Sequence, residues 1–218
     1  MDWDLVLTAI GPIALGAIEA TIPLTLASFA IGLVLAVGLA LMRISGVAAL
    51  SGIARVYISL IRGTPLLVQL FLVFFGLPSI GVTIDPWPSA IIALSLNVGG
   101  YAAEVVRAAI LSIPRGQWEA ASMLGMSRGQ ALGRIILPQA TRVSVPPLSN
   151  TFISLVKDTS LCSTILVTEL FRIAQQIAAP SGEFLAIYGV AAAVYWVLCT
   201  ILAFGQDVLE RRLERHAV

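Results

Sequence analysis

One long apolar stretch near the start of the chain limits the possible folds more than any other feature. Residues 10–42 carry a single charge, on Glu19, and a helix that crosses a bilayer needs about 20 mainly apolar residues. We therefore predict a first membrane span within this stretch, from about Thr21. The whole chain is 58% hydrophobic and only 11% charged, against about 25% in soluble domains, which predicts an integral membrane protein.

Further apolar segments predict an all-α, polytopic fold with about five spans in a single domain, residues 1–218. The later spans are predicted at about 53–76, 89–111, 139 to just before Lys157, and 184–205. Pro65 is expected to bend the second span, because proline disrupts a helix interior. Residues 162–179 mix apolar and polar side chains, which predicts a re-entrant or interfacial helix. Pro180, Ser181 and Gly182 are expected to turn the chain after it.

The distribution of basic residues predicts the orientation, because Lys and Arg concentrate on the cytoplasmic side. With an odd number of spans and the C-terminus inside, only Lys157 and Arg172 of the 13 basic residues fall near the outer face. The other eleven fall inside or at the inner ends of spans: Arg43, Arg55, Arg62, Arg107, Arg115, Arg128, Arg134, Arg142, Arg211, Arg212 and Arg215. We therefore expect Met1 outside and Val218 in the cytoplasm.

The stretch 119–138, EAASMLGMSRGQALGRIILP, is the longest segment that is not suited to lipid. We predict two short helices in it. The first covers residues 117–124, with Glu119 in its opening turn, where the helix dipole favours an anion. Gly125 stands where a left-handed C-terminal residue is wanted, and Ser127 with Gln130 has the spacing of a capping box. The alternative is a plain polar loop between two spans.

Three polar residues of the third predicted span lie on one helical face. Asn97, Tyr101 and Glu104 stand at positions i, i+4 and i+7, and Gly99 and Gly100 beside them permit close helix approach. An ionised carboxylate inside a span costs about 2.5–3.5 kcal/mol, so we expect Glu104 to face the interior of the bundle. It is a candidate partner for a cationic or amino group of a solute. The alternative is an ion pair with Arg107 on the same helix.

Asp158, at the outer end of the fourth predicted span, is the second candidate carboxylate. Two local roles compete with solute binding. One is a pair with the adjacent Lys157, and the other is a cap on the following turn through Thr159 or Ser160. The sequence leaves these alternatives open.

Several classes of chemistry lack their motifs in this chain. Lys157 is the only lysine and has no glycine-rich phosphate loop around it, so another chain would have to hydrolyse ATP. No nucleophile elbow and no zinc-binding His-Glu-x-x-His is present, which disfavours an enzyme. Cys162 and Cys199 lie in or beside apolar segments and His216 lies in a polar tail. We predict no disulfide, metal or cofactor.

Four sequence motifs together resemble one family. They are Arg62-Gly-Thr-Pro-Leu-Leu-Val-Gln69, Asn97-x-Gly-x-Tyr101-x-x-Glu104, Ile113-Pro-x-Gly-Gln117-x-Glu-Ala-Ala followed by Gly125, Ile135, Leu137 and Pro138, and Lys157-Asp-Thr-Ser-Leu161. The chain is similar, from about Tyr57 onward, to the membrane permeases of ABC importers, in the branch that carries histidine, arginine, glutamine and opines. It departs from that branch at Val98, where a small polar residue is usual, and at Ala108 and Ala109, where glycines are common.

The resemblance implies a function and a set of partners. Residues from about 113 to 138 would be the EAA loop, which docks on an ATPase through Glu119, Ala120, Ala121 and Gly125. Asn97, Tyr101, Glu104 and Asp158 would line the substrate path. The implied assembly has two ATPase subunits, an external solute-binding protein and a second permease, identical or paralogous, in the bacterial inner membrane. It works by alternating access and binds no nucleic acid. The alternative is a stand-alone channel or secondary amino-acid carrier. Internal repeats would favour this alternative, and we find no repeats in the sequence.

Overall fold

The computed structural model describes residues 3–214, so Met1, Arg215, His216 and Val218 lie outside the described residues. The described chain is helical and contains no strand. It begins with α1 (Trp3–Gly16), which runs through a π-helical turn (Ala17–Thr21) into α2 (Ile22–Ile44). The first helix is thus continuous from Trp3, and it begins well before the predicted start near Thr21. The π-helical turn accommodates Glu19 and the small residues around it without breaking the helix.

Pro65 divides the second predicted span into two helices, as expected. The first is α3 (Ala48–Gly63), and α4 (Leu66–Phe71) continues as a π-helical turn (Leu72–Gly76) and a 3₁₀ turn (Leu77–Ile80). The two parts meet at an angle of 106°. Thr64 adopts an extended conformation, with φ −121° and ψ 143°, because the ring of a following proline disfavours the helical region.

The central helix is α5 (Pro86–Ser112), which packs against α2 and α3 and supplies many residues of the main core. Gly99 and Gly100 allow these helices to approach closely, as predicted. A Cβ atom on Gly99 would lie 2.6 Å from the Leu35 side chain, and one on Gly100 would lie 2.5 Å from the Ile61 side chain. Because real Cβ atoms do not approach so closely, α5 needs glycine at both positions to pack this way.

The second half of the chain forms the remaining helices. They are α6 (Arg115–Met123), α7 (Arg128–Ala131) with a π-helical turn (Leu132–Ile136), α8 (Leu137–Asp158) with a 3₁₀ turn (Thr159–Ile165), α9 (Leu170–Ser181) and α10 (Phe184–Glu214). Gly182 ends α9 at φ 72°, which confirms the predicted turn. A second core joins α1, α9 and α10 around Ile13, Leu170 and Ile187.

Three helices of the described chain are long and apolar enough to cross a bilayer: Trp3–Ile44, Pro86–Ser112 and Phe184–Arg212. The bent pair Ala48–Gly63 and Leu66–Ile80 makes a fourth if it counts as one span. The remaining predicted span, the fourth along the chain, corresponds to α8. Its 22 residues would cover about 33 Å, but α8 is not among the helices that are apolar enough to count as spans.

Candidate functional site

A hydrogen-bond network holds the bend between α3 and α4. Pro65 has no N–H, so it cannot donate to the carbonyl of Ile61 four residues earlier. The side chain of Gln69 replaces that donor: its Nε2 donates to Ile61 O at 2.8 Å and to Thr64 O at 3.1 Å. The Thr64 hydroxyl accepts from the same nitrogen at 2.9 Å and donates to Leu60 O at 2.8 Å. These contacts give a physical reason for the Thr-Pro and Gln spacing of this motif.

Asn97 connects this network to α5. Its Nδ2 donates to Oε1 of Gln69 at 3.0 Å, and Gln69 is buried, with 8% of its surface exposed. Asn97 therefore has a structural role that the sequence did not suggest, because it fixes the amide that stabilises the bend. Its predicted contact with substrate stays a prediction.

A polar cavity of about 460 Å³ lies beside this bend, and we call it the Asp158 cavity. It is bounded by the start of α4, by α5 and by α8. Its polar lining consists of Thr64, Asn97, Tyr101, Asn150, Thr151, Ser154 and Asp158. The structure thus brings together three of the four predicted substrate residues. The three polar residues from α8 at positions 150, 151 and 154 were not predicted, because a serine, threonine or asparagine in a span gives no distinctive pattern.

Asp158 does not cap the following turn, and it forms no direct ion pair with Lys157, although the charge of Lys157 acts on it from a greater distance. The Ser160 hydroxyl donates to Lys157 O at 2.7 Å and the Thr159 hydroxyl donates to Val156 O at 2.7 Å. The side chain of Asp158 does not cap the following turn, and it forms no ion pair or side-chain hydrogen bond within the described residues 3–214. A carboxylate without a direct ion pair or side-chain hydrogen bond within the described residues therefore lines the polar cavity.

Glu104 lies outside the Asp158 cavity and has protein partners. Its Oε2 accepts from Arg107 Nη2 at 2.8 Å and from Arg107 Nε at 3.1 Å, so the alternative of an ion pair within α5 is present in the structure. Arg43 on α2 adds a weaker contact, with Nη2 3.8 Å from Oε1. About a fifth of the Glu104 side chain is exposed, and its predicted substrate contact stays a prediction.

Glu104 lines a neighbouring cavity of about 610 Å³, which we call the Glu104 cavity. Tyr101 and Thr151 line both this cavity and the Asp158 cavity. The guanidinium of Arg62 lies over the Tyr101 ring, 5.6 Å from its centroid, a distance typical of a cation–π contact. Tyr101 therefore separates a chamber containing an unpaired carboxylate from one bordered by arginine.

The loop after α5 contains the two short helices predicted for it. The first, α6, begins at Arg115, two residues earlier than predicted, so Glu119 lies in its second turn and not in its opening turn. Pro114 is the N-cap of this helix, with φ −54° and ψ 139° outside the helical region, so the helix begins directly after it. The capping box is confirmed, since the Ser127 hydroxyl accepts from Gln130 N at 3.4 Å and Gln130 Oε1 accepts from Ser127 N at 2.9 Å.

Gly125 ends α6 in the left-handed conformation, with φ 75°, as predicted. Its N–H donates to Ser122 O at 2.9 Å, and the N–H of Met126 donates to Ala121 O at 3.1 Å. This pair of hydrogen bonds is the Schellman motif. Ala121 is buried, whereas Glu119, Ala120 and Gly125 are exposed. Met123 and Leu124 have 89% and 79% of their surfaces exposed, so the end of α6 presents apolar side chains to solvent.

Sequence reasoning missed one fully buried carboxylate, that of Glu169, which is the N-cap residue of α9. Its oxygens accept from Phe171 N at 2.9 Å, from Arg172 N at 2.7 Å and from the Tyr195 hydroxyl at 2.9 Å. It therefore caps α9 and ties it to α10. Glutamate is not among the preferred N-cap residues, so the sequence gave little signal of this role. Within residues 3–214 no group of three potential ligands could hold a metal ion.

The fold and the exposed loop define a membrane permease component of an ABC importer, and comparison with known proteins agrees. The model of the family "Binding-protein-dependent transport system inner membrane component" matches residues 28–215. The chain belongs to this family. It is a transport subunit and not an enzyme, and the alternative of a stand-alone channel or carrier is not favoured.

Individual relatives cover nearly the whole chain. The L-cystine transport system permease protein TcyB of Bacillus subtilis is 57% identical over 217 residues, covering 99% of this chain and 93% of TcyB. The glutamine transport system permease protein GlnP of Escherichia coli is 37% identical, covering 98% of each chain. The crystal structure of an amino acid ABC transporter with histidines has a chain that is 34% identical, with a TM-score of 0.90, covering 97% of this chain and 99% of that one.

Proposed function

We propose that this chain is the permease subunit of an importer for polar amino acids, and that L-cystine or a close relative is its substrate. The observation that carries the proposal is the Asp158 cavity, where a carboxylate that forms no direct ion pair or side-chain hydrogen bond within the described residues lies among hydroxyl and amide groups. An amino acid supplies an ammonium group that would pair with the Asp158 carboxylate. Removing one member of such a buried charge pair is strongly unfavourable. The 57% identity to the cystine permease supports the choice of substrate.

The four candidate substrate residues have different roles in this proposal. Asp158 binds the ammonium group, and Tyr101 borders both cavities and controls passage between them. Asn97 lines the Asp158 cavity and acts mainly through Gln69, whose amide it fixes beside the bend. Glu104 accepts the substrate after Tyr101, and it exchanges part of its contact with Arg107 or Arg43 for the solute.

The partners follow from the exposed loop and from the family. We infer that an ATPase subunit docks on the EAA loop, about 113–138, around Glu119, Ala120, Ala121 and Gly125. Exposed Met123 and Leu124 would enter its surface. ATP-driven closure of two such ATPases moves the loop and alternates access to the cavities. This can work only if the loop binds its partner differently in the two states. A solute-binding protein delivers the substrate, and a second permease completes the pore.

We further propose that the chain forms one permease domain, 1–218, in the bacterial inner membrane, with its N-terminus outside and its C-terminus in the cytoplasm. The distribution of arginine supports this orientation. Reporter fusions after Asp85 and after Arg128 test it: an enzyme that is active only outside should work at the first site and fail at the second. The reverse pattern would contradict the orientation.

The substrate proposal is tested by Asp158→Asn, which keeps the shape of the side chain and removes its charge. We expect cystine uptake to fall by a factor of about ten or more, since loss of a charged hydrogen bond costs about 1.5–3 kcal/mol. The protein should still insert, because Asp158 forms no direct ion pair or side-chain hydrogen bond within the described residues. Asp85→Asn is the matched control, since Asp85 is exposed at the start of α5 and caps no N–H. Unchanged cystine affinity in Asp158→Asn would refute the binding role.

A further inference from the structure

A third cavity, of about 470 Å³, lies beside Glu104 and contains several arginines. Arg43 from α2 lines it together with Arg55 and Arg62 from α3, and the one carboxylate in its lining is that of Glu104. We call it the arginine cavity. It is distinct from the Asp158 cavity, which none of these three arginines lines.

The positive charge of this cavity is not neutralised by the described chain. Glu104 already accepts two hydrogen bonds from Arg107, and its other oxygen lies 3.8 Å from Arg43. Neither Arg55 nor Arg62 forms an ion pair within residues 3–214, and both side chains are exposed. Three guanidinium groups therefore line a cavity whose one carboxylate is already paired with Arg107, which leaves a site suited to an anion.

Helix α3 presents an apolar face next to this basic one. Arg55, Ser59 and Arg62 stand at i, i+4 and i+7, so they share one face of the helix. Ile53, Val56 and Leu60 share another face, and between 60% and 63% of the surface of each is exposed. A phosphate-binding face beside an exposed apolar face matches the two-part chemistry of a phospholipid.

We propose that the arginine cavity binds the phosphate group of an anionic phospholipid, whose acyl chains lie against Ile53, Val56 and Leu60. Guanidinium groups bind phosphate oxygens through paired, charge-assisted hydrogen bonds. Basic pockets between spans on the cytoplasmic side suit anionic headgroups. The choice of the cytoplasmic leaflet rests on the proposed orientation. A headgroup would compete with Glu104 for Arg43, so the lipid also affects the charge beside the Glu104 cavity.

The test follows ligand binding through thermal unfolding of the permease, purified with its associated subunits in neutral detergent and stripped of lipid. A ligand that binds only the folded state raises the unfolding midpoint. Phosphatidylglycerol should raise it, whereas phosphatidylcholine and inorganic phosphate at the same concentration should not. The double variant Arg55→Gln, Arg62→Gln should need at least about ten times more phosphatidylglycerol for the same shift, because each arginine near a membrane surface contributes about a fivefold effect.

Controls keep each outcome informative. Arg211→Gln removes one exposed charge outside the cavity and should respond like the native protein. If the double variant does not assemble, Arg55→Gln alone should show about a fivefold loss, since Arg55 holds no ion pair within the described residues. Equal responses to the two lipids, or an unchanged response of the arginine variants, would overturn the proposal. A full response to inorganic phosphate alone would assign the cavity to a free anion instead of a lipid. Uptake is not the readout, so failure here leaves the proposed transport function standing.

Discussion

Replacing Gln69 by leucine should loosen the bend between α3 and α4. In the native chain the Gln69 amide donates to Ile61 O at 2.8 Å. Pro65 cannot donate to this carbonyl because it has no N–H. It also accepts from Asn97 at 3.0 Å. Leucine has a similar volume but no polar atom. The substitution therefore leaves the Ile61 carbonyl and the Asn97 amide without these partners, near a side chain that is only 8% exposed.

The expected loss of stability follows from these two groups. A buried polar group that loses its partner costs about 1–3 kcal/mol, so two cost about 2–6 kcal/mol. Burial of the leucine side chain returns about 1–2 kcal/mol, which leaves a net loss of about 0–5 kcal/mol, with a middle value of about 2.5 kcal/mol. For chains of this size, 1 kcal/mol shifts the thermal midpoint by about 2–4 °C. The middle value therefore predicts a midpoint about 5–10 °C lower.

The measurement is thermal unfolding of the purified permease in detergent, at one fixed scan rate because unfolding of such proteins is often irreversible. Gln176→Leu is the matched control, since Gln176 is exposed on α9, and it should shift the midpoint by no more than about 2 °C. Asn97→Ala should add little to Gln69→Leu, because both changes remove the same hydrogen bond. A native midpoint in Gln69→Leu, or fully additive effects of the two changes, would show that the network does not hold the bend.

Two further predictions concern coupling and the solute. Gly125→Asp should abolish uptake while the protein still inserts, because φ 75° costs a non-glycine residue only about 1–2 kcal/mol, whereas the new carboxylate lies at the proposed ATPase contact. Gly125→Asn is the control for strain, and intact substrate-stimulated ATP hydrolysis in Gly125→Asp would rule out the docking role. Glu104→Gln should reduce cystine uptake, normalised to protein level, while the thermal midpoint of the purified protein stays native. A lower midpoint with unchanged uptake per molecule would assign Glu104 to its pair with Arg107.

Local backbone chemistry was predictable from the sequence because it depends on a few adjacent residues. Pro65 bends its helix, Gly125 adopts the left-handed conformation, and Ser127 pairs with Gln130 in a capping box. Each of these features is determined within about five residues. The predicted start of α6 was wrong by two residues, since Pro114 is the N-cap and the helix begins directly after it.

Contacts between distant segments could not be predicted in the same way. The sequence predicts that Asn97 contacts substrate, because it shares a helical face with Tyr101. In the structure the Asn97 amide donates its hydrogen bond to Gln69, 28 positions away. Glu169 reads as an ordinary residue of an amphipathic segment, yet it is fully buried and bonded to Tyr195 on α10. Such pairings depend on how helices cross, which periodicity within one helix does not determine. Asp158 stood out in the sequence because it is a carboxylate at the end of a span, and its role in substrate binding stays a prediction.

The uninterrupted helix from Trp3 to Ile44 has a mechanical consequence. Its first part belongs to the core of α9 and α10, and its second part belongs to the core around α5. The π-helical turn between them, Ala17–Thr21, is the kind of site where helices bend. The 23 residues of α2 form an arm of about 35 Å. A rotation of about 10° at the turn would therefore move the far end, near Arg43, by about 6 Å, which is more than the 3.8 Å that separates Arg43 from Glu104.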